Sequence, residues 1–296
     1  MPVFNAGPAL NQAIASFLAQ SMTDFELIVV DDGSTDGCTD LVEQQLDPRI
    51  RFTRNGTNLG APGSRNRAIA LATGDYLAVA DADDMADPLR LELQCRLLDG
   101  SPDVGVVAGA SRAFSKGGPP TDPSIPLTTH AALTIGLRYG PSFYHGSVMV
   151  RRSAVEAVGG YRDVPATEDY DLYSRLLEAG HRFAAVSDVV LLYRRHDQGV
   201  FSSRRAIAAR VHHETSERLR RNVAVPGLRD LVVSARSEPR DGRGEPRLRY
   251  LKLLGRTAIE HFRSRPAIAA RCVVAALAVG PATWLRLITS TLRGES

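Results

Sequence analysis

Two apolar runs in this 296-residue sequence end abruptly on carboxylates. Phe25-Glu26-Leu27-Ile28-Val29-Val30 stops at Asp31-Asp32-Gly33-Ser34, and Tyr76-Leu77-Ala78-Val79-Ala80 stops at Asp81-Ala82-Asp83-Asp84. Aliphatic, β-branched runs of this length predict buried strands of a parallel sheet, whose faces are covered by crossover helices. Helical stretches fit between them: Asn11 to Ser21, Gly37 to Gln45, Ser64 to Ala72, and a helix entered at Pro88 and running to about Leu98. Further strands fit Arg49 to Thr53, Val104 to Gly109, Ser147 to Val150 and Val186 to Tyr193. This β-α-β alternation predicts an α/β fold with a doubly wound, mostly parallel sheet. Ligands of such sheets sit beyond the carboxyl ends of the strands, where Asp31 and Asp81 stand.

A third acidic pair, Glu168-Asp169, opens a helical stretch to Ala179 whose Leu172, Leu176 and Leu177 face inward. Each cluster alone has a plain structural role. Asp-Gly-Ser is a common turn, Asp84 or Asp87 can cap the helix at Pro88, and first-turn acids complement a helix dipole. Together they are costly, because neighbouring carboxylates raise one another's pKa and resist desolvation. A divalent cation holding a diphosphate resolves that conflict.

Composition narrows the class. Residues 1 to 203 carry 17 Lys+Arg against 25 Asp+Glu, a net −8, whereas residues 204 to 296 carry 19 against 8, a net +11. The expectation is an acidic catalytic domain over 1–203 followed by an Arg-rich helical region over 204–296, interrupted by a polar linker at Ser237 to Pro246. Cys38, Cys95 and Cys272 are too far apart for a zinc site or a disulfide framework, which argues for a reducing cytoplasm. The N-terminus lacks the basic and apolar regions of a secretory signal. Pro2-Val3-Phe4-Asn5 reads as the end of a strand with little before it, so the first strand is expected to be truncated. Ala267 to Leu292 is apolar but broken by Arg271, Gly280-Pro281 and Arg286, too short a run to span a bilayer. It reads either as helices packed on the catalytic domain or as an interfacial anchor on anionic lipid.

Five motifs occur in order: Pro2-Val3-Phe4-Asn5, Asp31-Asp32-Gly33-Ser34-Thr35-Asp36, Asn58-Leu59-Gly60 with Ser64-Arg65-Asn66, Asp81-x-Asp83-Asp84, and Glu168-Asp169-x-Asp171-Leu172. Over roughly residues 1 to 200 the chain resembles the inverting family 2 glycosyltransferases. The resemblance implies a GT-A-like, Rossmann-type fold and transfer of a sugar from a nucleoside diphosphate sugar to an acceptor hydroxyl, with Mg²⁺ or Mn²⁺. It implies that Asp31 or Asp32 contacts the base, Asp81 the ribose or metal, and Asp83 the metal. Asp169 would be the general base with Glu168 beside it. Arg65 and Arg194 would approach the nucleotide, and His196 would join the metal side. His145-Gly146-Ser147 is a further family-like feature near the acceptor. The sequence lacks a Gln-x-x-Arg-Trp motif, which argues against a processive synthase. The expected acceptor is lipid-linked or a growing polysaccharide, with peripheral contact at the inner face of the cell membrane and no nucleic-acid partner. The alternatives are an inactive sugar-nucleotide-binding scaffold and a nucleotidyltransferase. The latter is disfavoured because no Gly-rich loop with a following lysine is present near the N-terminus.

Overall fold

Three parallel strands stand at the start of the fold, β1 (Pro2–Val3), β2 (Leu27–Asp31) and β3 (Ile50–Arg54), in the order β1-β2-β3. The computed structural model describes residues 1–44, 46–115, 118–164, 166–195, 201–237, 246–261 and 266–277. Helices α1 (Ala9–Leu18), α2 (Asp40–Glu43) and α3 (Gly60–Leu71) connect and follow these strands. Leu10, Ala13, Ile14 and Phe17 recur at helical spacing on α1 and are buried with Val29 of β2.

The second sheet holds β4 (Tyr76–Ala78), β5 (Met85–Ala86), β6 (Val104–Phe114), β7 (Met149–Arg151) and β8 (Arg182–Arg194), ordered β4-β7-β6-β8-β5. Here β6 and β8 are parallel, while β7 is antiparallel to both β4 and β6 and β5 is antiparallel to β8. The α/β class is as expected, and this sheet is mixed. An apolar run signals burial but not strand direction, so the antiparallel members had no signature of their own.

Four helices belong to this half: α4 (Arg90–Asp99), α5 (His130–Leu137), α6 (Arg152–Ala157) and α7 (Glu168–Glu178). In the turn leading into α4, Asp87 Oδ1 accepts from Leu89 N at 3.0 Å, while the N-cap position itself is Leu89, without a side-chain cap. Asp84 instead accepts from Arg194 N. α5 was not legible because all seven residues from Ala131 to Leu137 are buried, leaving no amphipathic period. Arg90, fully buried on α4, donates to the carbonyls of Val79 (2.8 Å) and Val148 (3.2 Å), so it ties the end of β4 to the approach to β7.

The chain continues through α8 (Phe201–Asn222), α9 (Leu228–Ser237), α10 (Pro246–His261) and α11 (Pro266–Leu277). The apolar core does not stop at residue 203. Leu133, Leu176 and Phe183 share one buried cluster with Leu219, Leu231, Tyr250, Leu254 and Cys272. Each such leucine contributes roughly 1.5–3 kcal/mol on burial. For the described part of 267–292, Ala269, Cys272, Ala275 and Ala276 are buried in this cluster, which also holds residues of β6, α5 and α7. Residues 278–292 lie outside the described residues. Among the described residues no helix is long and apolar enough to cross a membrane.

The residues before Asn5 do enter the sheet, with Pro2 opposite Val30 and Val3 opposite Asp31. The terminal ammonium of Met1 is buried and donates to Ile28 O at 2.7 Å. Burial, then the charge of Arg65, lowers its pKa from 8.0 to about 5, with Asp81 opposing. Between those values the unfolded chain binds a proton that the folded one does not, so stability should rise with pH from about 5 to 8. Urea titrations across that range on the chain and on its Nα-acetylated form check this. The acetylated form should lose the slope, and equal slopes would contradict the assignment.

Candidate active site

Asp31 and Asp32 leave β2 at its carboxyl end and are both buried. Asp31 is fully engaged: Oδ1 accepts from Ser34 N at 2.8 Å, and Oδ2 accepts from Thr39 Oγ1 (3.0 Å) and Arg54 Nε (2.8 Å). Burial works against its charge, but these hydrogen bonds outweigh it and hold the carboxyl below its ordinary range. Asp32 Oδ1 accepts from Asn55 Nδ2 (2.7 Å) and Leu59 N (2.8 Å), and Asn58 Nδ2 caps its main-chain carbonyl at 3.1 Å. The Asn58-Leu59-Gly60 motif is therefore a clamp on Asp32. No protein hydrogen bond reaches Asp32 Oδ2 among the described residues.

Asn5, in sequence only the end of a strand, adopts a left-handed φ of 50°. Its amide donates to Ser34 Oγ at 3.1 Å, and its Oδ1 accepts from Thr35 N at 2.8 Å. Backbone strain at a site-facing position of this kind persists only where neighbouring contacts fix it.

Asp81 follows β4 and meets Arg65 of α3, with Nη2 2.8 Å from Asp81 Oδ1. The same guanidinium reaches Glu168 Oε1 at 3.2 Å and lies over the ring of Tyr161, 5.6 Å from its centroid. Burial disfavours the Arg65 charge, but Asp81, Tyr161 and Glu168 outweigh it and its pKa is raised. Arg65 thus joins the strand-end acids to the α7 acids. Its Nε has no hydrogen-bond partner among the described residues, a buried cationic donor that an anionic ligand would satisfy.

Asp84 is buried, and its Oδ1 accepts from Arg194 N at 2.8 Å. Burial, with the charges of Asp81 and Asp83, pushes its pKa up to about 8 despite that hydrogen bond. Gly146 lies between these acids: a Cβ there would sit 3.3 Å from both Asp81 Oδ2 and Asp84 Oδ2. An all-oxygen set under mutual repulsion suits a hard cation such as Mg²⁺ or Mn²⁺. Among the described residues no ready-made cluster of three metal-ligating side chains is assembled, and His196 lies outside them. Arg194 Nε donates to Asp83 O (2.8 Å) and its Nη2 to Gln12 Oε1 (2.6 Å), so Arg194 holds the Asp83-Asp84 loop against α1.

Helix α7 carries Glu168, Asp169 and Asp171 in its first turn, after Ala166 at a left-handed φ of 59°. The three acids differ in their partners. Asp171 Oδ2 is held by Arg175 Nε at 2.8 Å, and Glu168 by Arg65. Asp169 makes no ion pair among the described residues and accepts only from Tyr170 N at 2.7 Å. Burial, with the charge of Glu168, raises its pKa to about 6. A carboxylate that titrates there can take up a proton near neutral pH.

Behind the acids, His145 bridges two tyrosines: Nδ1 to Tyr173 Oη at 2.5 Å and Nε2 to Tyr161 Oη at 3.1 Å. Burial and the Arg65 charge lower its pKa to about 3, so the ring is neutral. Tyr161 is fixed through its backbone by Asn66, which donates to Tyr161 O and accepts from Tyr161 N, both at 2.8 Å. Gly160 at φ 70° permits that approach, because a Cβ would lie 2.6 Å from Asn66 Oδ1. The two tyrosines escape sequence reasoning because only the fold brings them to the acids.

Carboxylates thus gather at two strand ends and on one facing helix. The family model described as glycosyl transferase family 2 matches residues 1–159. EpsE of Bacillus subtilis (strain 168), described as a glycosyltransferase, is 34% identical over 211 residues, covering 69% of this chain and 74% of EpsE. The chain belongs to glycosyl transferase family 2. YibD of Escherichia coli (strain K12), described as an uncharacterized glycosyltransferase, is 33% identical over 166 residues, 55% of this chain and 47% of YibD. The structure of Staphylococcus aureus TarS residues 1–349 with UDP-GlcNAc superposes with a TM-score of 0.59 at 17% identity, covering 99% of this chain and 90% of that one. PcManGT, a mannosyltransferase from Pyrobaculum calidifontis in complex with GDP-Man and Mn²⁺, superposes at 0.53 with 20% identity, covering 99% and 78%. These likenesses establish the GT-A fold.

Proposed function

We propose that this chain is a non-processive, inverting glycosyltransferase that moves a sugar from a nucleoside diphosphate sugar to a hydroxyl of a lipid-linked or polysaccharide acceptor in cell-surface assembly. It works in the cytoplasm, in peripheral contact with the anionic inner face of the membrane through its Arg-rich C-terminal region. The observation that carries the reading is Asp169, the one first-turn acid of α7 with no ion pair among the described residues and with a pKa raised to about 6.

In this reading Asp169 removes the proton of the acceptor hydroxyl as that oxygen attacks the anomeric carbon. A single base suffices for inversion, since no covalent sugar intermediate forms. Arg65 holds Glu168 beside the base and offers its free Nε to the donor. Asp32, which keeps Oδ2 without a protein partner among the described residues, is better placed than Asp31 to hydrogen-bond the base. Asp83, supported by Asp81 and Asp84 and with His196 as a further candidate, would hold Mg²⁺ or Mn²⁺. A cation held there would supply positive charge against the diphosphate leaving group. The TarS structures with UDP-GlcNAc and with UDP and the GDP-Man and Mn²⁺ complex of PcManGT support this choice of ligands.

Thermal-shift measurements with UDP, GDP and dTDP, each with and without Mn²⁺, test the binding half of this reading. One nucleotide at 100 times its Kd should stabilise the fold by about 2.7 kcal/mol, and more weakly without Mn²⁺. Asp83→Asn should remove the Mn²⁺-dependent part. A flat response to all three nucleotides would sink the reading.

A further inference from the structure

The chain enters the 3₁₀ turn His145–Ser147 through an extended Tyr144, at φ −80° and ψ 142°. Extended backbone sends successive side chains to opposite sides. Phe143 and His145 accordingly both meet Tyr173, one by an edge-on ring contact and one by a hydrogen bond, while Tyr144 turns the other way. There it stacks on Tyr193, near the end of β8, with ring centroids 4.8 Å apart and planes inclined by 29°. Alternation along β8 puts Leu191 on the same face as Tyr193. A Cβ on Gly146 would lie 3.3 Å from Leu191 Cδ1, as it would from Asp81 Oδ2 and Asp84 Oδ2, so this aromatic ledge adjoins the acids. Among the described residues Phe4 and Tyr144 are the only exposed Phe, Tyr or Trp side chains, and Tyr144 keeps 40% of its surface open. Neither phenol oxygen of the stacked pair has a hydrogen-bond partner among the described residues. Burial, then the charges of Asp84 and its neighbours, raises the pKa of Tyr193, so its hydroxyl stays protonated and able to donate.

An open aromatic face beside carboxylates suits a ligand that has both an apolar face and hydroxyls. We infer that Tyr144, backed by Tyr193, is the stacking platform for a sugar ring of the acceptor, so that the hydroxyl glycosylated belongs to a pyranose. The inference rests on the transferase reading and names the acceptor class within it. One face of a pyranose presents C–H groups whose partial positive charge matches the negative face of the tyrosine ring. The hydroxyls at its rim meet the two phenol oxygens. A lipid chain would cover the ledge but strip water from those phenols and from the nearby carboxylates without replacing its hydrogen bonds. A nucleobase also stacks, yet its end of the site is Asp32 on β2, whereas the acids that act on Tyr193 are Asp84, Asp83 and Asp81. The turn 145–147 ties the ledge to the base as well. Gly146 adjoins Asp81 and Asp84, and His145 is bonded to Tyr173 and Tyr161, two phenols that the Asp169 charge reaches. A ring on Tyr144 therefore lies where the strand-end acids and the base adjoin, as an acceptor must.

Two arms test this. The first is saturation-transfer difference NMR on the chain with UDP or GDP and Mn²⁺. The probes are methyl β-D-glucopyranoside, methyl β-D-galactopyranoside and methyl N-acetyl-β-D-glucosaminide, with glycerol as the ringless control. At least one glycoside should show saturation of its ring C–H protons. Tyr144→Ala and Tyr144→Leu should weaken its binding by about five- to tenfold, and Tyr144→Phe should retain it. Leucine keeps apolar area but has no π face, so its failure separates stacking from plain apolar contact. The second arm follows nucleoside diphosphate release against increasing amounts of a bacterial membrane fraction as acceptor source. Tyr144→Ala should raise the half-saturating amount by the same factor, with the donor Kd of the parent chain. Three results overturn the inference: no ring saturation with any of the glycosides in the parent chain, equal binding by the parent chain and Tyr144→Ala, or a weakened donor Kd in place of the acceptor effect. The first arm needs no turnover, so a parent chain that transfers nothing contradicts the transferase reading, while the NMR result still decides the ledge.

Discussion

Asp169→Asn should lower kcat by about 100-fold or more while leaving donor affinity nearly unchanged. The substitution keeps the shape of the side chain and its hydrogen bond from Tyr170 N, so α7 keeps its start. It removes only the ability to accept a proton. In the parent chain, transfer should rise with pH through about 6, the value to which burial and then Glu168 push this carboxyl. Below that pH the base is protonated and idle. The neighbouring acids are poor substitutes, since Asp171 is buried against Arg175 and Glu168 is engaged by Arg65. Steady-state rates for both chains, with donor Kd measured separately, decide the point. Near-parent turnover in Asp169→Asn would move the base elsewhere.

Arg65→Met should cost about 3–5 kcal/mol of stability, because it leaves the carboxylates of Asp81 and Glu168 without their shared cation. For a chain of this size that corresponds to a fall in Tm on the order of 10 °C. A second effect is independent of folding. The Arg65 charge favours the ionised form of Asp169, so its removal should move the midpoint of the pH–rate profile above about 6. Urea unfolding measures the first effect and a pH series of initial rates the second. A shift of the midpoint to lower pH would contradict the electrostatic role assigned to Arg65.

Much of the first sheet and the acidic clusters was legible because an apolar run that ends abruptly on carboxylates fits little besides a buried strand opening onto a polar site. β2 ends on Asp31 and α7 begins at Glu168, where the sequence placed them. What stayed hidden depends on contacts between distant segments. The direction of β7, the burial of α5 and the approach of His145, Tyr161 and Tyr173 to the acids leave no local periodicity to read. The choice between Asp31 and Asp32 was also beyond the sequence. It turns on which carboxylate is consumed by Thr39 and Arg54, eight and more residues away. Asp171, which fits the motif as well as Asp169 does, is held by Arg175 one helical turn on and by Arg218 of α8, contacts that no local pattern announces.

The most direct measurement is release of nucleoside diphosphate from a panel of UDP-, GDP- and dTDP-sugars, with Mn²⁺ and a bacterial membrane fraction as acceptor source, by the parent chain and Asp169→Asn in parallel. The account predicts acceptor-dependent release from at least one donor by the parent chain, with a rate about 100-fold or more lower in Asp169→Asn. Equal release by the two proteins, or a donor that binds tightly yet is never turned over by the parent chain, would contradict it.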